Sequence, residues 1–282
     1  KYPFPSESYI LKNEGGVDDD IRFVNVTQKV FPELSNLGLV TAALWEDFNT
    51  DGKTDLIITG EWMSIRFFEN DGNKFKEVTT DVGLERSTGW WNSIKRIDYD
   101  NDGDMDYVAG NLGLNYKYKA TEKAPFEVYA NDFDENGTTD IVLSYKKKGV
   151  LLPLRGRECS SQQVPAIKKR FQTYDLFANA TLEDIYGKTM LDKSLHYKAF
   201  TFANSWVENK GNNTYVLHEL PRRAQFSSIN DFEVLRNQNK NLQIVCGGNL
   251  YQSEVETPRN DGDYGLIIEP NSVKLKKLKL FI

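Results

Sequence analysis

The chain has 282 residues, 39% of them hydrophobic and 12% aromatic, with a formal net charge of −6 and a pI near 5.2. That length holds one large domain or two ordinary ones, and so many core formers exclude a disordered chain. The acidic balance argues against nucleic acid as a partner, since phosphate binding needs a basic surface.

No apolar run reaches the length of a membrane span. The chain begins in mid-pattern, at KYPFPSESYILKNEGG, without the segments of a signal peptide. A mature protein or a piece of one is the expectation. Residues 9–27 read as only the last two strands of a unit, which is either half of a ring closure or the remainder of a shortened ring. Residues 41–79 hold the clearest full unit: TAALWEDF, an acidic loop, DLIITGEW, SIRFFEN, an Asn-Asp-Gly turn and KFKEVT. These runs are short and rich in aromatic and β-branched residues. Further units are expected at about 93–120, 126–220 and 226–280.

Within the third full unit, residues 158–203 have helical spacing. Pro165 suits a first helical turn, Thr181 with Asp184 a capping box, and Gly187 a helix end. A helical insertion between the second and third strands of that unit is expected, with the strands resuming at TFANSWVENKG. Its KKR, Lys168–Arg170, reads as a solvated helix face. The two cysteines, Cys159 and Cys246, make one bridge or remain two buried thiols. Units of four antiparallel strands in series predict an all-β chain, a β-propeller or part of one, as a single domain over 1–282.

Two elements repeat. An Asn-x-Gly turn recurs at Asn13, Asn70 and Asn209, where Asn and Gly tolerate the positive φ of tight hairpins. The second element is the loop. DFNTDGKTD from Asp47, DYDNDGDMD from Asp98 and DFDENGTTD from Asp132 align without a gap. In the second, Asp98, Asp100, Asp102, Asp104 and Asp106 alternate, and each neighbouring pair repels by roughly 1 kcal/mol even in water. An ion reverses that cost. Oxygen donors at loop positions 1, 3, 5 and 9, the carbonyl of residue 7 and a bend at Gly suit a hard cation, and several flexible oxygens suit calcium better than magnesium. Zinc would want nitrogen or sulfur.

The predicted calcium sites are therefore three. Site one is Asp47, Asn49, Asp51, the Lys53 carbonyl and Asp55. Site two is Asp98, Asp100, Asp102, the Asp104 carbonyl and Asp106, with the Asp104 carboxylate facing water. Site three is Asp132, Asp134, Asn136, the Thr138 carbonyl and Asp140. Site two has four carboxylates against three in each of the others, so it is expected to bind most tightly. An EF-hand fails, because position 12 holds Ile58, Ala109 or Leu143 rather than Glu, and the flanks read as strands. A fourth copy at 230–251 keeps Asp231–Phe232 but not the acidic spacing, so no site is expected there.

These loops resemble the calcium-binding FG-GAP/VCBS repeats and are similar to the calcium hairpins of integrin α propellers. ITGEW, VAGNL and CGGNL resemble the small-residue segment that follows such loops. TGWWNS, GNLGLNYKYKA and FQTYDLFANATLEDIYG resemble bacterial surface proteins that join VCBS repeats to an ASPIC/UnbV module, although no ASPIC-type segment is present in this sequence.

The resemblance implies an extracytoplasmic binding or adhesion module with a protein or carbohydrate ligand. The alternative is a polysaccharide-acting enzyme, a glycosidase or lyase, with Trp45, Trp62, Trp90, Trp91 and Trp206 as candidate sugar platforms. For GWWNS, one of two adjacent tryptophans is expected to be exposed. No nucleophile–base pair is legible, and Ser160, Ser161 and His196 have no motif around them. A third possibility is a structural part of a larger surface assembly, with the helical insertion facing a partner or capping the ring.

Overall fold

The computed structural model describes residues 2–15, 21–251, 257, 259–270 and 276–277. The parts of the expected 9–27 and 226–280 units that fall on other residues lie outside the described ones. The fold is all-β, built of small antiparallel sheets with a few short helices.

A two-stranded ribbon pairs β1 (Leu11–Asn13) with β2 (Phe23–Asn25). Helix α1 (Thr27–Val30) and a 3-10 turn lead into the first full sheet. That sheet is a meander of β3 (Leu39–Glu46), β4 (Asp55–Met63), β5 (Arg66–Asn70) and β6 (Phe75–Glu77), with β7 (Gly89–Trp90) added to the far end of β4. Its middle strand β4 is almost wholly buried, as a strand covered on both faces must be.

The next strands are β8 (Ser93–Ile97) and β9 (Asp106–Gly110). The chain then builds another sheet, from β10 (Phe126–Asn131), β11 (Asp140–Lys147) and β12 (Val150–Pro153). Helices α2 (Arg157–Gln163), α3 (Ala166–Arg170), α4 (Tyr174–Ala178), α5 (Leu182–Tyr186) and α6 (Lys188–Asp192) follow, then β13 (Leu195–Ala199). Only afterwards come β14 (Ser205–Asn209) and β15 (Tyr215–Glu219). The last meander is β16 (Asp231–Arg236), β17 (Leu242–Gly247), β18 (Leu266–Ile268) and β19 (Lys276–Lys277).

The strand pairing corrects the expected unit borders. β14 pairs with β9, through Val207 opposite Tyr107, so the order of the second sheet is β15-β14-β9-β8. Strands at 205–219 therefore complete the unit begun at 93 and not the one begun at 126. The inserted sheet is β12-β11-β10-β13, with its fourth strand crossing to the far edge of its first. Its helices lie between its third and fourth strands rather than between its second and third. The chain accordingly forms two compact units, 1–117 with 202–282, and 118–201, where one domain was expected. β9 is buried at every residue and needs partners on both edges. Which later strand supplies the second partner is a matter of long-range pairing that local pattern does not encode.

In the first unit, adjacent sheets share cores. Phe48, Ile57, Phe67, Trp91, Tyr107 and Tyr215 lie between the first and second sheets. Phe67, Trp91 and Tyr107 are fully buried, each contributing about 1.5–3 kcal/mol of burial. Val108, Phe232, Ile244 and Cys246 lie between the second and the last. In the second unit, Phe171, Phe177, Leu182 and Ile185 of the helical segment pack with Tyr129 and Val142. The capping box forms as expected: Asp184 N donates to Thr181 Oγ1 at 3.1 Å, and Thr181 N to Asp184 Oδ2 at 2.9 Å. Gly187 ends α5 with φ at 81°. Pro165 is the N-cap of α3, and Lys168–Arg170 are exposed in its last turn. No disulfide joins Cys159 and Cys246.

Candidate metal centre

Each acidic loop joins the first two strands of its sheet, and its last aspartate opens the second strand. That residue, Asp55, Asp106 or Asp140, is buried. Asp106 shows why. Its Oδ2 accepts from Tyr99 N at 2.8 Å and its Oδ1 from Asn209 N at 2.7 Å. Asp140 Oδ2 likewise accepts from Phe133 N at 3.0 Å, and Asp55 Oδ1 from Asn70 N at 2.8 Å. The carboxylate thus ties the start of its own loop, or the end of the third strand, to the second strand. Burial raises the pKa of Asp55 and Asp106, partly offset by these N–H donors.

The bend comes from two consecutive-but-one residues at positive φ: Thr50 and Gly52, Asn101 and Gly103, Glu135 and Gly137. It turns loop side chains inward. In the third loop Asp132 accepts from Asn136 N at 3.0 Å and Gly137 N at 2.7 Å, while Asn136 Oδ1 accepts from Thr138 N at 2.8 Å. In the second, Asp102 accepts from Asp104 N at 3.0 Å, and Asp100 from Asp102 N at 3.3 Å.

The structure gathers carboxylates in two of the three loops. Oxygens of Asp98, Asp100 and Asp106 lie within 4.8 Å of one another, as do oxygens of Asp132, Asp134 and Asp140. The first loop is arranged differently. Asp47 accepts from Asp51 N and Gly52 N, both at 3.0 Å, and Asn49 Oδ1 accepts from Asp51 N at 3.0 Å. Asp51 itself is held by the Lys53 ammonium at 2.7 Å, which lowers its pKa. Among the described residues, Asp47, Asp51 and Asp55 form no such cluster.

The donor sets fit a hard cation. They are oxygen-only, and Asp55 Oδ2, Asp98 Oδ1, Asp104 Oδ1 and Asp134 Oδ1 are buried without a hydrogen-bond partner. A buried carboxylate oxygen left unpaired is costly unless an ion or water meets it. The expectation that the Asp104 carboxylate faces water is corrected here, because one of its oxygens is buried. Burial and the neighbouring Asp102 and Asp106 push its pKa up to about 6.

Two residues of this arrangement were not among the expected site residues, Asn70 and Asn209. Each amide side chain caps the carbonyl before the last loop aspartate, Asn70 Nδ2 on Thr54 O at 2.9 Å and Asn209 Nδ2 on Met105 O at 3.4 Å. The Asn-x-Gly repeat was the available signal; its partnership with the acidic loop emerges only from the pairing of third strand on second. The fourth copy is also displaced. Asp231 opens β16, and the loop equivalent is Asn237–Asn241, where Asn237 Oδ1 accepts from Asn239 N at 2.9 Å and Asn241 N at 3.0 Å. It has five residues and no carboxylate.

The tryptophans are differently placed from a sugar platform at GWWNS. Trp91 is 0% exposed, and Trp90 packs on Trp62 at 5.0 Å and Phe202 at 5.3 Å. Trp206 stacks on Tyr99 at 4.4 Å and His218 at 4.8 Å, and Trp45 is the exposed one. His196 does have company: its Nε2 lies 2.7 Å from the buried Glu127 Oε2, and its ring stacks on Tyr129 at 4.0 Å.

Residues 47–109 match the FG-GAP-like repeat family. That stretch runs from the first acidic loop through the second, so an FG-GAP-like repeat is present in this part of the chain. No curated protein matches the sequence. No helix among the described residues is long and apolar enough to cross a membrane.

Proposed function

We propose that this chain is a calcium-stabilised binding or adhesion module of the extracytoplasmic space. The observation that carries the reading is the coincidence of an FG-GAP-like repeat at 47–109 with oxygen-only clusters at Asp98–Asp106 and Asp132–Asp140. FG-GAP-like repeats suggest extracellular protein binding. When bound, the ion supplies positive charge to carboxylates that otherwise repel, and so locks the loop joining two strands. Asp98, Asp100 and Asp106, with Asp102 and the Asp104 carbonyl, would hold it in the second loop. Asp132, Asp134, Asn136, Asp140 and the Thr138 carbonyl would hold it in the third. In the first, Asp47, Asn49, Asp51, Asp55 and the Lys53 carbonyl would do so once Asp51 leaves Lys53. The ion's role is structural, and the ligand, protein or carbohydrate, binds elsewhere on the sheets.

The experiment is calorimetric titration of the chelator-treated chain with calcium and with magnesium, followed by melting curves with and without calcium. Saturable heat with calcium, weaker with magnesium, and a raised melting temperature are expected. An identical melting curve with chelator defeats the reading. A glycan array, read for both retention and hydrolysis, separates a binding module from an enzyme.

A further inference from the structure

Asn49 stands at the third position of the first acidic loop, and its amide is held at both ends. Its Nδ2 donates to Glu69 Oε1 at 3.1 Å, and its Oδ1 accepts from Asp51 N at 3.0 Å. An ionised carboxylate accepts hydrogen bonds and donates none, so the end of the amide that meets Glu69 is the nitrogen. The oxygen is thereby turned into the loop. With the amide reversed, the loop would be offered amino hydrogens, which repel a cation. An aspartate at this position needs no such orientation, because both of its ends are oxygen.

Glu69 lies outside the loop, on β5, 20 residues further along the chain. It comes just before Asn70, whose main-chain N–H donates to Asp55 Oδ1 at 2.8 Å. The third strand therefore reaches the loop twice, through Glu69 at its third position and through Asn70 at its ninth. A separate observation points to an occupant of this loop. Asp55 is 0% exposed, and its other oxygen, Oδ2, is buried without a hydrogen-bond partner. Such an atom is costly unless an ion or a water meets it.

The second sheet shows what changes when the third loop position is an acid. Glu208 precedes Asn209 as Glu69 precedes Asn70, and Asn209 N bonds Asp106 as Asn70 N bonds Asp55. The third position is now Asp100, whose carboxylate has no hydrogen to give. Glu208 bonds elsewhere: its Oε2 lies 2.6 Å from Lys210 Nζ and 2.8 Å from His218 Nε2. The first sheet has Asp71 in the place of Lys210, and Glu69 takes Asn49 as its partner instead. In the inserted sheet the third strand, Val150–Pro153, carries no acid.

We propose that Glu69 is a positioning residue of the first metal site: it fixes the Asn49 amide so that Oδ1, and not Nδ2, faces the bound cation. The site thus extends beyond the loop to the third strand of its sheet, and the Glu-Asn step before the turn belongs to it. The proposal rests on the calcium reading of the loops. A group that orients a metal ligand without touching the metal typically accounts for about ten- to a hundredfold in metal affinity.

The experiment is a calcium titration of the full chain followed by amide NMR. The main-chain amides of Gly52, Gly103 and Gly137 each report on their own loop. Gly52 N donates to Asp47 Oδ2 at 3.0 Å and Gly137 N to Asp132 Oδ2 at 2.7 Å, and Gly103 has the same place in the second loop. Glu69→Ala is expected to raise the calcium midpoint at Gly52 about tenfold or more and to leave those at Gly103 and Gly137 within about twofold. Glu69→Gln loses the charge but keeps an acceptor for Asn49 Nδ2, and is expected to raise the Gly52 midpoint by no more than about threefold. Should the alanine variant fail to fold, Glu69→Val, which suits a strand, is the second truncation. An unchanged Gly52 midpoint in the truncated variants, a glutamine variant as weak as they are, or a shift shared by all three glycines would overturn the proposal. So would a Gly52 that ignores calcium while Gly103 and Gly137 respond, an outcome that leaves the calcium reading standing. Silence at all three glycines defeats the calcium reading and the proposal with it.

Discussion

The main-chain N–H of Asn209 donates to Asp106 Oδ1 at 2.7 Å, joining residues 103 apart in the sequence. The bond fixes the last aspartate of an acidic loop to the third strand of its sheet, across an entire inserted unit. The first sheet makes the same bond locally, from Asn70 to Asp55, 15 residues apart. A loop that reads as a metal ligand set is thus also a fastener between strands before any ion enters.

Asp106→Ala removes the acceptor of both Asn209 N and Tyr99 N inside a buried site. A loss of about 2–4 kcal/mol is expected in urea unfolding. Asp106→Asn keeps one oxygen and the shape, and is expected to cost less. A loss below roughly 0.5 kcal/mol for the alanine variant, the range of ordinary surface changes, would contradict the fastener role.

Calcium at ten times its dissociation constant is expected to stabilise the chain by roughly 1.4 kcal/mol per occupied loop. The paired change Asp98→Asn and Asp100→Asn removes the increment of the second loop, and Asp132→Asn with Asp134→Asn that of the third. Asp47→Asn is expected to change the calcium response least, because Asp51 is held by Lys53. Melting temperature against calcium concentration for each variant is the measurement.

Asp104, pushed up to about 6 by burial and by Asp102, keeps a proton in the folded chain where an unfolded aspartate, near 4, has lost it. Between about pH 4 and 6 the calcium-free folded state therefore binds more protons than the unfolded one. Its contribution to stability is present in full below that window and is lost as pH rises through it. Asp104→Asn is expected to flatten this slope. The ion would sit beside this carboxylate without being bound by it, so calcium affinity is expected to rise with pH up to about 6 as Asp104 gains its negative charge. Denaturation midpoints and calcium titrations across that range check both signs.

Gly103 has φ at 100° with open space where a Cβ would go, so Gly103→Ala is expected to cost about 1 kcal/mol of backbone strain alone. Gly110 is the opposite case. Its Cβ would meet Ile229 O at 2.2 Å, a backbone atom that cannot swing away. Gly110→Ala is expected to cost about 3 kcal/mol. Equal costs in thermal unfolding would contradict the close packing of β9 on the segment before β16.

The sequence by itself determined what short-range physics determines. The all-β class, the offsets of the three acidic loops, the Asn-x-Gly turns and the capping box of Thr181 with Asp184 were legible because each depends on residues within about ten positions of one another. The half-unit at 9–27 was legible for the same reason: ILKNEGG repeats at Asn13 and Gly15 the Asn-x-Gly turn that FFENDGNKF has at Asn70 and Gly72. Tertiary structure decided which strand answers which. It sent β14 back to β9, moved β13 to the far edge of β10, and made the expected helical insertion part of a separate compact unit over 118–201. An edge N–H accepts any register-compatible strand, and the choice rests on buried aromatic faces such as Phe67, Tyr107 and Tyr215 meeting across long separations. The inward turn of Asp104 and the grip of Lys53 on Asp51 were likewise beyond the sequence, because both depend on which way a side chain points once its loop is closed.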